Sequence, residues 1–240
     1  MSATVCEWGL QGARMFDGNV GAIIVVDVLS FSTCIDIAVA RGAVVIPFGF
    51  HDQKAAKEAA KALGAEVVGP RGNLDHRFSL SPASLALIGP NAKLVLPSPN
   101  GSSISTAIRS APVLTGCLRN ARAVAKRACA LANGRNIAVI PAGERWPNGG
   151  LRPAIEDLIG AGAIIDELGL SCTPEAEVAR GAFRAAQAHL AKLVRECVSG
   201  QELIERGFAQ DVELAIELNT SQIAPELIDG AYSRRSPERD

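Results

Sequence analysis

Short, wholly apolar runs alternate along the chain with longer stretches in which apolar residues recur at three- and four-residue steps. The apolar runs fall at 22–29, 43–48, 66–69, 93–97, 112–115 and 136–141. They are rich in β-branched residues, as strands covered on both faces are. Helical stretches lie between and after them, at 32–41, 52–63, 101–110, 120–133 and 153–168. Residues 52–63 consist almost entirely of strong helix formers, and Gly64 supplies a C-terminal stop. This alternation predicts an α/β fold: three layers, α/β/α, around a largely parallel or mixed sheet, with helices on both faces because crossovers are right-handed.

The last third has a different rhythm. From Pro174 to Cys197 one amphipathic helix is expected, carrying Ala179, Phe183, Ala186, Leu190, Leu193 and Cys197 along a face apolar enough for a core or a homodimer seam. Ser199 to Glu202 has the form of a capping box opening a short helix, Gly207 ends it, and Ala209 to Leu218 is again helical. From Asn219 the chain reads as loop, and from Ser233 as a polar, fraying end. With no repeat, low-complexity run or linker, a single domain over residues 1–240 is expected.

Composition narrows the function. Lys+Arg 24 against Asp+Glu 25 gives a formal net charge of -1, which argues against a nucleic-acid surface. Six cysteines, at 6, 34, 117, 129, 172 and 197, show no Cys-x-x-Cys spacing; they read as small core residues of a reduced compartment. Asp27 interrupts the longest apolar run and no basic stretch precedes an apolar core at the N-terminus. The expectation is therefore a cytoplasmic protein without membrane span or leader. His51, His76 and His189 are isolated, and no Gly-x-Ser-x-Gly elbow, Walker loop or Gly-x-Gly-x-x-Gly fingerprint occurs.

Four segments combine polar groups with strand ends. Asp27 closes the run Ile23-Ile24-Val25-Val26 and is followed by Ser30, Ser32 and Thr33. A carboxylate there is costly unless it is paired or ligates a cation, and ligands of open α/β sheets bind beyond the carboxyl ends of the strands. Ser98, Asn100, Gly101 and Ser102 form a turn opening a helix, a start that offers amides and hydroxyls to an anion. Arg119 suits a bidentate grip on an oxyanion, while Asn120 reads as a helix cap. The loop from Pro141 carries Glu144, Arg145 and Arg152 and leads to Glu156 and Asp157 in a first helical turn. Asp27, Glu144, Glu156 and Asp157 suit a hard divalent ion, and Arg145 and Arg152 an anionic substrate. Cys34 and Cys117 lie within these segments but read as core residues.

The order and spacing of several pieces resemble the 2-phosphosulfolactate phosphatase family. They include Val25-Val26-Asp27-Val28-Leu29, Ala40-Arg41-Gly42-Ala43, Pro99-Asn100-Gly101-Ser102, Gly116 to Asn120 with Ala123-Val124-Ala125, and Ala142-Gly143. Further along come Glu156-Asp157-Leu158 to Gly162, Ser199-Gly200 with Leu203, and Gly207 with Asp211-Val212. The resemblance implies an α/β/α fold and Mg²⁺-dependent hydrolysis of the phosphate ester of sulfolactate, a step of coenzyme M biosynthesis in methanogens. It places Asp27, Glu156 and Asp157 at the metal and Asn100 and Gly101 at the phosphate. Catalytic roles then fall to Asp27, Glu144 and Asp157. Glu144, Glu156 or Asp157 serves as base, with an Asp27 phosphoenzyme as a further possibility. Ser30 stands where the family has Arg, Pro70 in Gly69-Pro70-Arg71 where it has Glu, and Ser79-Leu80-Ser81-Pro82 replaces its Gly-Asn-Ser-Pro. These changes affect charge recognition more than fold. The alternative they raise is a non-catalytic or altered-specificity binder of a small sulfo- or phospho-organic anion; a nicotinamide dehydrogenase is weaker, lacking its glycine fingerprint.

Overall fold

The computed structural model describes residues 2–49, 53–73 and 75–234; His51, Asp52 and the terminal stretch from 235 lie outside them. The strands are β1 (Ala3–Cys6), β2 (Ala22–Val26), β3 (Val44–Gly49), β4 (Glu66–Val67), β5 (Lys93–Ser98), β6 (Val113–Gly116), β7 (Ile137–Pro141), β8 (Glu144–Arg145), β9 (Leu151–Arg152), β10 (Ser171–Cys172), β11 (Glu226–Ile228) and β12 (Ala231–Ser233). Ten form one sheet in the order β10-β1-β7-β2-β6-β11-β12-β3-β5-β4, and β8 pairs with β9 as a separate hairpin.

The sheet is mostly parallel, as the buried apolar runs predict, and it has an interruption. β11 and β12 pair antiparallel to each other, to β6 on one side and to β3 on the other. This hairpin joins two parallel half-sheets, β10-β1-β7-β2-β6 and β3-β5-β4, and sets them in opposite senses along one ladder. The segment after Asn219 is thus not all loop. Asp229 and Gly230 both take positive φ, 50° and 81°, as a two-residue type I′ turn requires.

All five residues of β2 are buried. Ile24 and Val26 face a layer formed with Leu114, Val124, Ile164 and Phe183. Ile23 and Val25 face a second layer that also contains Val45, Leu94 and Leu96 from the other half-sheet. Helix Phe31–Ala40, buried at nine of its positions, lies in this shared core. The two halves therefore meet around the helix that follows Asp27.

Elsewhere the helices depart from the expected bounds. The expected helix 174–197 is broken into Pro174–Ala186, a 3₁₀ turn Gln187–His189 and Leu190–Glu196. Its apolar residues Ala179, Phe183, Ala186 and Leu190 are buried in the chain's own core. Ser199 does not cap the next helix: Val198–Glu205 begins one residue earlier, and the Cys197 sulfur accepts the Gly200 amide. The short strand Ala3–Cys6 and helix Gly9–Phe16 carry too few residues to show a period. No helix among the described residues is long and apolar enough to cross a membrane.

Candidate active site

Asp27 leaves the end of β2 and is buried, 6% exposed. Oδ1 accepts the Phe31 amide at 3.1 Å and Oδ2 the Gly101 amide at 3.0 Å. One carboxylate thus caps its own helix and ties it to the turn after β5 in the other half-sheet. That approach needs a residue without a side chain: a Cβ on Gly101 would stand 2.1 Å from Cδ1 of Phe31.

Asp157 makes the matching connection. It lies in the first turn of helix Ile155–Leu168; Oδ1 accepts the Val28 amide at 2.7 Å and Oδ2 the Gly143 amide at 2.8 Å. Gly143 has φ +68°, and a Cβ there would meet Leu151 at 2.7 Å and the Arg152 carbonyl at 3.0 Å. Glu156, the preceding residue, is 2% exposed. Glu144 opens the β8–β9 hairpin, and its Oε2 accepts the Asn100 side-chain amide at 2.9 Å. The loops after β2, β5 and β7 are joined in this way.

Asp27, Glu144 and Asp157 all have raised proton affinities, through burial and through neighbouring negative charge. Burial, and then the neighbouring Asp27 charge, pushes Glu144 up to about 7. Burial also raises Asp27 to about 6, with Glu156 adding to the rise and the Phe31 and Gly101 amides and Arg71 opposing it. Asp157 lies well above the usual carboxylate range through burial and the charges of Asp27 and Glu156.

Positive charge comes from a residue the sequence reading did not place in the site. Arg71, beyond β4, donates from Nε to Asp211 Oδ2 at 2.9 Å and from a terminal nitrogen to Ser30 Oγ. Asp211 also accepts from Ser81 Oγ at 2.5 Å and from the Ala83 amide at 3.2 Å. The guanidinium is close enough to lower the proton affinity of Asp27. A guanidinium therefore reaches Ser30 from another part of the chain.

Several expected ligands are occupied otherwise. Ser32 Oγ accepts the Asp27 amide at 2.9 Å and lies 2.7 Å from Thr115 Oγ1. Thr33 Oγ1 donates to the Val28 carbonyl at 2.7 Å and Ser102 Oγ to the Leu96 carbonyl at 2.7 Å. These hydroxyls fasten strand-to-helix turns, because each sits within reach of a backbone carbonyl its own turn exposes. Ser98 is buried at the end of β5, and its carbonyl accepts from Ser103 Oγ at 3.5 Å.

Arg119 is not brought to the cluster. Its Nε donates to Asp36 at 2.9 Å, and its Nη1 to Leu214 O at 3.1 Å and to Glu217. Asp36 is fully buried, and its carboxyl is pushed up by burial against the hydrogen bonds of Ser221 and Arg119. Asn120 Oδ1 accepts the Cys117 amide at 2.8 Å, closing the turn. Arg152 pairs in register with Glu144, lies 3.9 Å from Glu202 and stands over the Trp146 ring at 5.8 Å. Among the described residues the Arg145 guanidinium contacts carbonyls, those of Pro99 at 3.3 Å and Gly149 at 3.4 Å.

The thiols of Cys34 and Cys117 are buried, and burial raises both well above the usual thiol range, Cys117 to about 12. Both are neutral core groups rather than nucleophiles. His76 bonds the Val67 carbonyl at 3.3 Å and His189 is exposed in the 3₁₀ turn.

Carboxylates gathered at strand ends of a mostly parallel sheet, with the Arg71 guanidinium near Asp27, mark the candidate active site of an α/β protein. The family model for 2-phosphosulpholactate phosphatase matches residues 14–230, and the chain belongs to that family. A probable 2-phosphosulfolactate phosphatase of Carboxydothermus hydrogenoformans is 31% identical over 214 residues, covering 85% of each chain. Proteins of the same name from Pseudothermotoga lettingae and Gloeobacter violaceus are 27% and 28% identical, over 89% and 87% of this chain and 92% and 89% of their own.

Proposed function

We propose that the protein hydrolyses the phosphate ester of a small anionic hydroxy acid, 2-phosphosulfolactate giving sulfolactate and phosphate, with Mg²⁺ held by Asp27, Glu156 and Asp157. The observation that carries this reading is the buried carboxylate group facing Arg71. The donors are all oxygen, and burial leaves their mutual repulsion unscreened, which suits a hard cation. Among the described residues no three acidic, histidine or cysteine side chains stand together as a ready-made metal cage. Mg²⁺ commonly binds through one or two carboxylates, so one or two of these three would ligate it directly, and water and substrate oxygens would complete its shell. When bound, the ion would supply charge neutralisation at the phosphoryl oxygens.

The chain's own residues then divide the work. Arg71, held by Asp211 and Ser30, offers donors to the phosphoryl oxygens. Asp27 and Asp157 keep the three loops fixed through their four amide contacts. Glu144 is held by Asn100 at one oxygen, and its proton affinity lies near neutrality, which suits exchange of a proton with the attacking water at Oε1. Water oxygen bonds to phosphorus, the ester P–O bond breaks, and the proton taken up at Glu144 passes to the departing alkoxide.

The test is phosphate release from 2-phosphosulfolactate and other phosphorylated hydroxy acids, with and without EDTA, by wild type and Asp27→Asn. Activity should require a divalent ion and fall at least about 100-fold in the variant. Full activity in EDTA would overturn the metal, and full activity of Asp27→Asn would overturn the site.

A further inference from the structure

A cavity of about 220 Å³ is lined in part by Glu144 and Asn100, the pair whose side chains are hydrogen-bonded beside the Asp27 turn. Drug-sized pockets occupy about 300–1,000 Å³, so this one suits a skeleton of a few carbons. Leu10, Ile104 and Leu151 give it apolar walls, and Gln11 and Arg145 stand at its polar side. Arg71, Arg119, Arg127 and Arg152 each lie within 4 Å of a carboxylate, but among the described residues Arg145 has no such partner. Its carbonyl contacts at 3.3 and 3.4 Å are long for N–H···O bonds, leaving a planar fork of donors for an oxyanion.

We propose that this cavity is the subsite for the second oxyacid anion of the substrate's carbon skeleton, gripped by Arg145 while the phosphoryl group lies at the Asp27 cluster. This rests on the proposed phosphatase reading and adds to it where substrate selection takes place. Glu144 and Asn100 line the cavity, and the Asp27 charge acts on Glu144, so on this proposal the substrate passes beside Glu144 between cavity and cluster. The apolar walls exclude water from the short skeleton, and the cation at the far end distinguishes an acid from a neutral alcohol.

Calorimetry with the full-length protein and free sulfolactate tests the subsite without turnover. Wild type should bind it. Arg145→Gln should weaken binding by about 10- to 100-fold, the worth of a charge-assisted contact, with unchanged thermal stability because the residue is exposed. Gln11→Glu, a surface change that sets a like charge at the rim, should weaken it in the same direction. In kinetics, Arg145→Gln should lower the ratio of kcat/KM for 2-phosphosulfolactate over phenyl phosphate at least about tenfold, chiefly through KM. Equal sulfolactate affinity in Arg145→Gln and wild type, or a parallel fall for both esters, would overturn the subsite. A protein that binds sulfolactate through Arg145 but releases no phosphate would overturn the phosphatase reading alone.

Discussion

Gly101→Ala should damage stability and catalysis together. The added Cβ would lie 2.1, 2.4 and 2.8 Å from three ring carbons of Phe31, where ordinary contact begins at 3.4 Å. Phe31 has no room to retreat: it is fully buried and meets Tyr232 edge-on, at 6.1 Å between centroids and 73° between planes. The turn must therefore move by more than an ångström, which breaks the 3.0 Å contact between the Gly101 amide and Asp27. Overpacking costs about 1–3 kcal/mol and a lost charge-assisted hydrogen bond about 1.5–3 kcal/mol. For a chain of this size each kcal/mol is worth about 2–4 °C in Tm, so a fall of roughly 5–20 °C is expected. Calorimetric melting gives the stability and phosphate release the activity. Adding Phe31→Leu should make room for the methyl group, so the double variant should be more stable than the sum of the single losses. A Tm within about 2 °C of wild type with undiminished activity, or strictly additive losses, would refute the steric argument.

Four further outcomes follow from the geometry. Arg119→Ala should lower stability by about 3–5 kcal/mol by stranding buried Asp36, with kcat/KM preserved in the folded fraction; a large loss of specific activity would return Arg119 to the site. Arg71→Ala should cut kcat/KM by about 10²–10³, and Arg71→Lys should recover little because a lysine cannot reach both Asp211 and Ser30; wild-type kinetics would exclude Arg71 from charge neutralisation. Glu144 at about 7 and Asp27 at about 6 stand above their ordinary 4.5 and 3.8, so the folded chain binds protons the unfolded chain releases. Their stabilisation is complete below the ordinary values and fades as pH rises through 6 and 7; metal-free protein should melt higher at about pH 5.5 than at about pH 8, with Mg²⁺ closing the gap, and a flat profile would contradict this. Tyr232→Phe should cost about 1 kcal/mol, since the hydroxyl bonds Ser105 Oγ at 2.7 Å while Ser105 keeps its bond to the Gly101 carbonyl; a loss above about 3 kcal/mol would point to a wider network.

What could be read from the sequence is what local pattern encodes. A buried apolar run ending in Asp27, a turn at Asn100-Gly101, and an acidic pair opening a helix are short-range signals, and the structure joins all three by hydrogen bonds. Arg71 had no such signal, because its orientation is set by Asp211 from a distant helix. Ser32, Thr33 and Ser102 show a different limit: a hydroxyl beside a strand end is equally suited to an anion and to the turn's own carbonyls, and composition does not choose between them. Arg119 pairs with Asp36, buried in the helix Phe31–Ala40, a partner 83 residues away that no local pattern reveals. The β11–β12 hairpin had a usable cue, Asp229-Gly230 between apolar residues, but two three-residue strands are too short to show alternation.

That hairpin sets an order of assembly during synthesis. Val45 of one half-sheet emerges from the ribosome early, yet its strand partner Tyr232 emerges after every other strand of the ladder. Until then the two half-sheets have no ladder between them, and their facing edges at β6 and β3 are open to pairing with another chain. Asp27 belongs to one half and Gly101 to the other. A nascent chain stalled before the hairpin would therefore present exposed strand edges, with the Asp27 and Gly101 halves not yet joined by a ladder, making it a natural client for a chaperone.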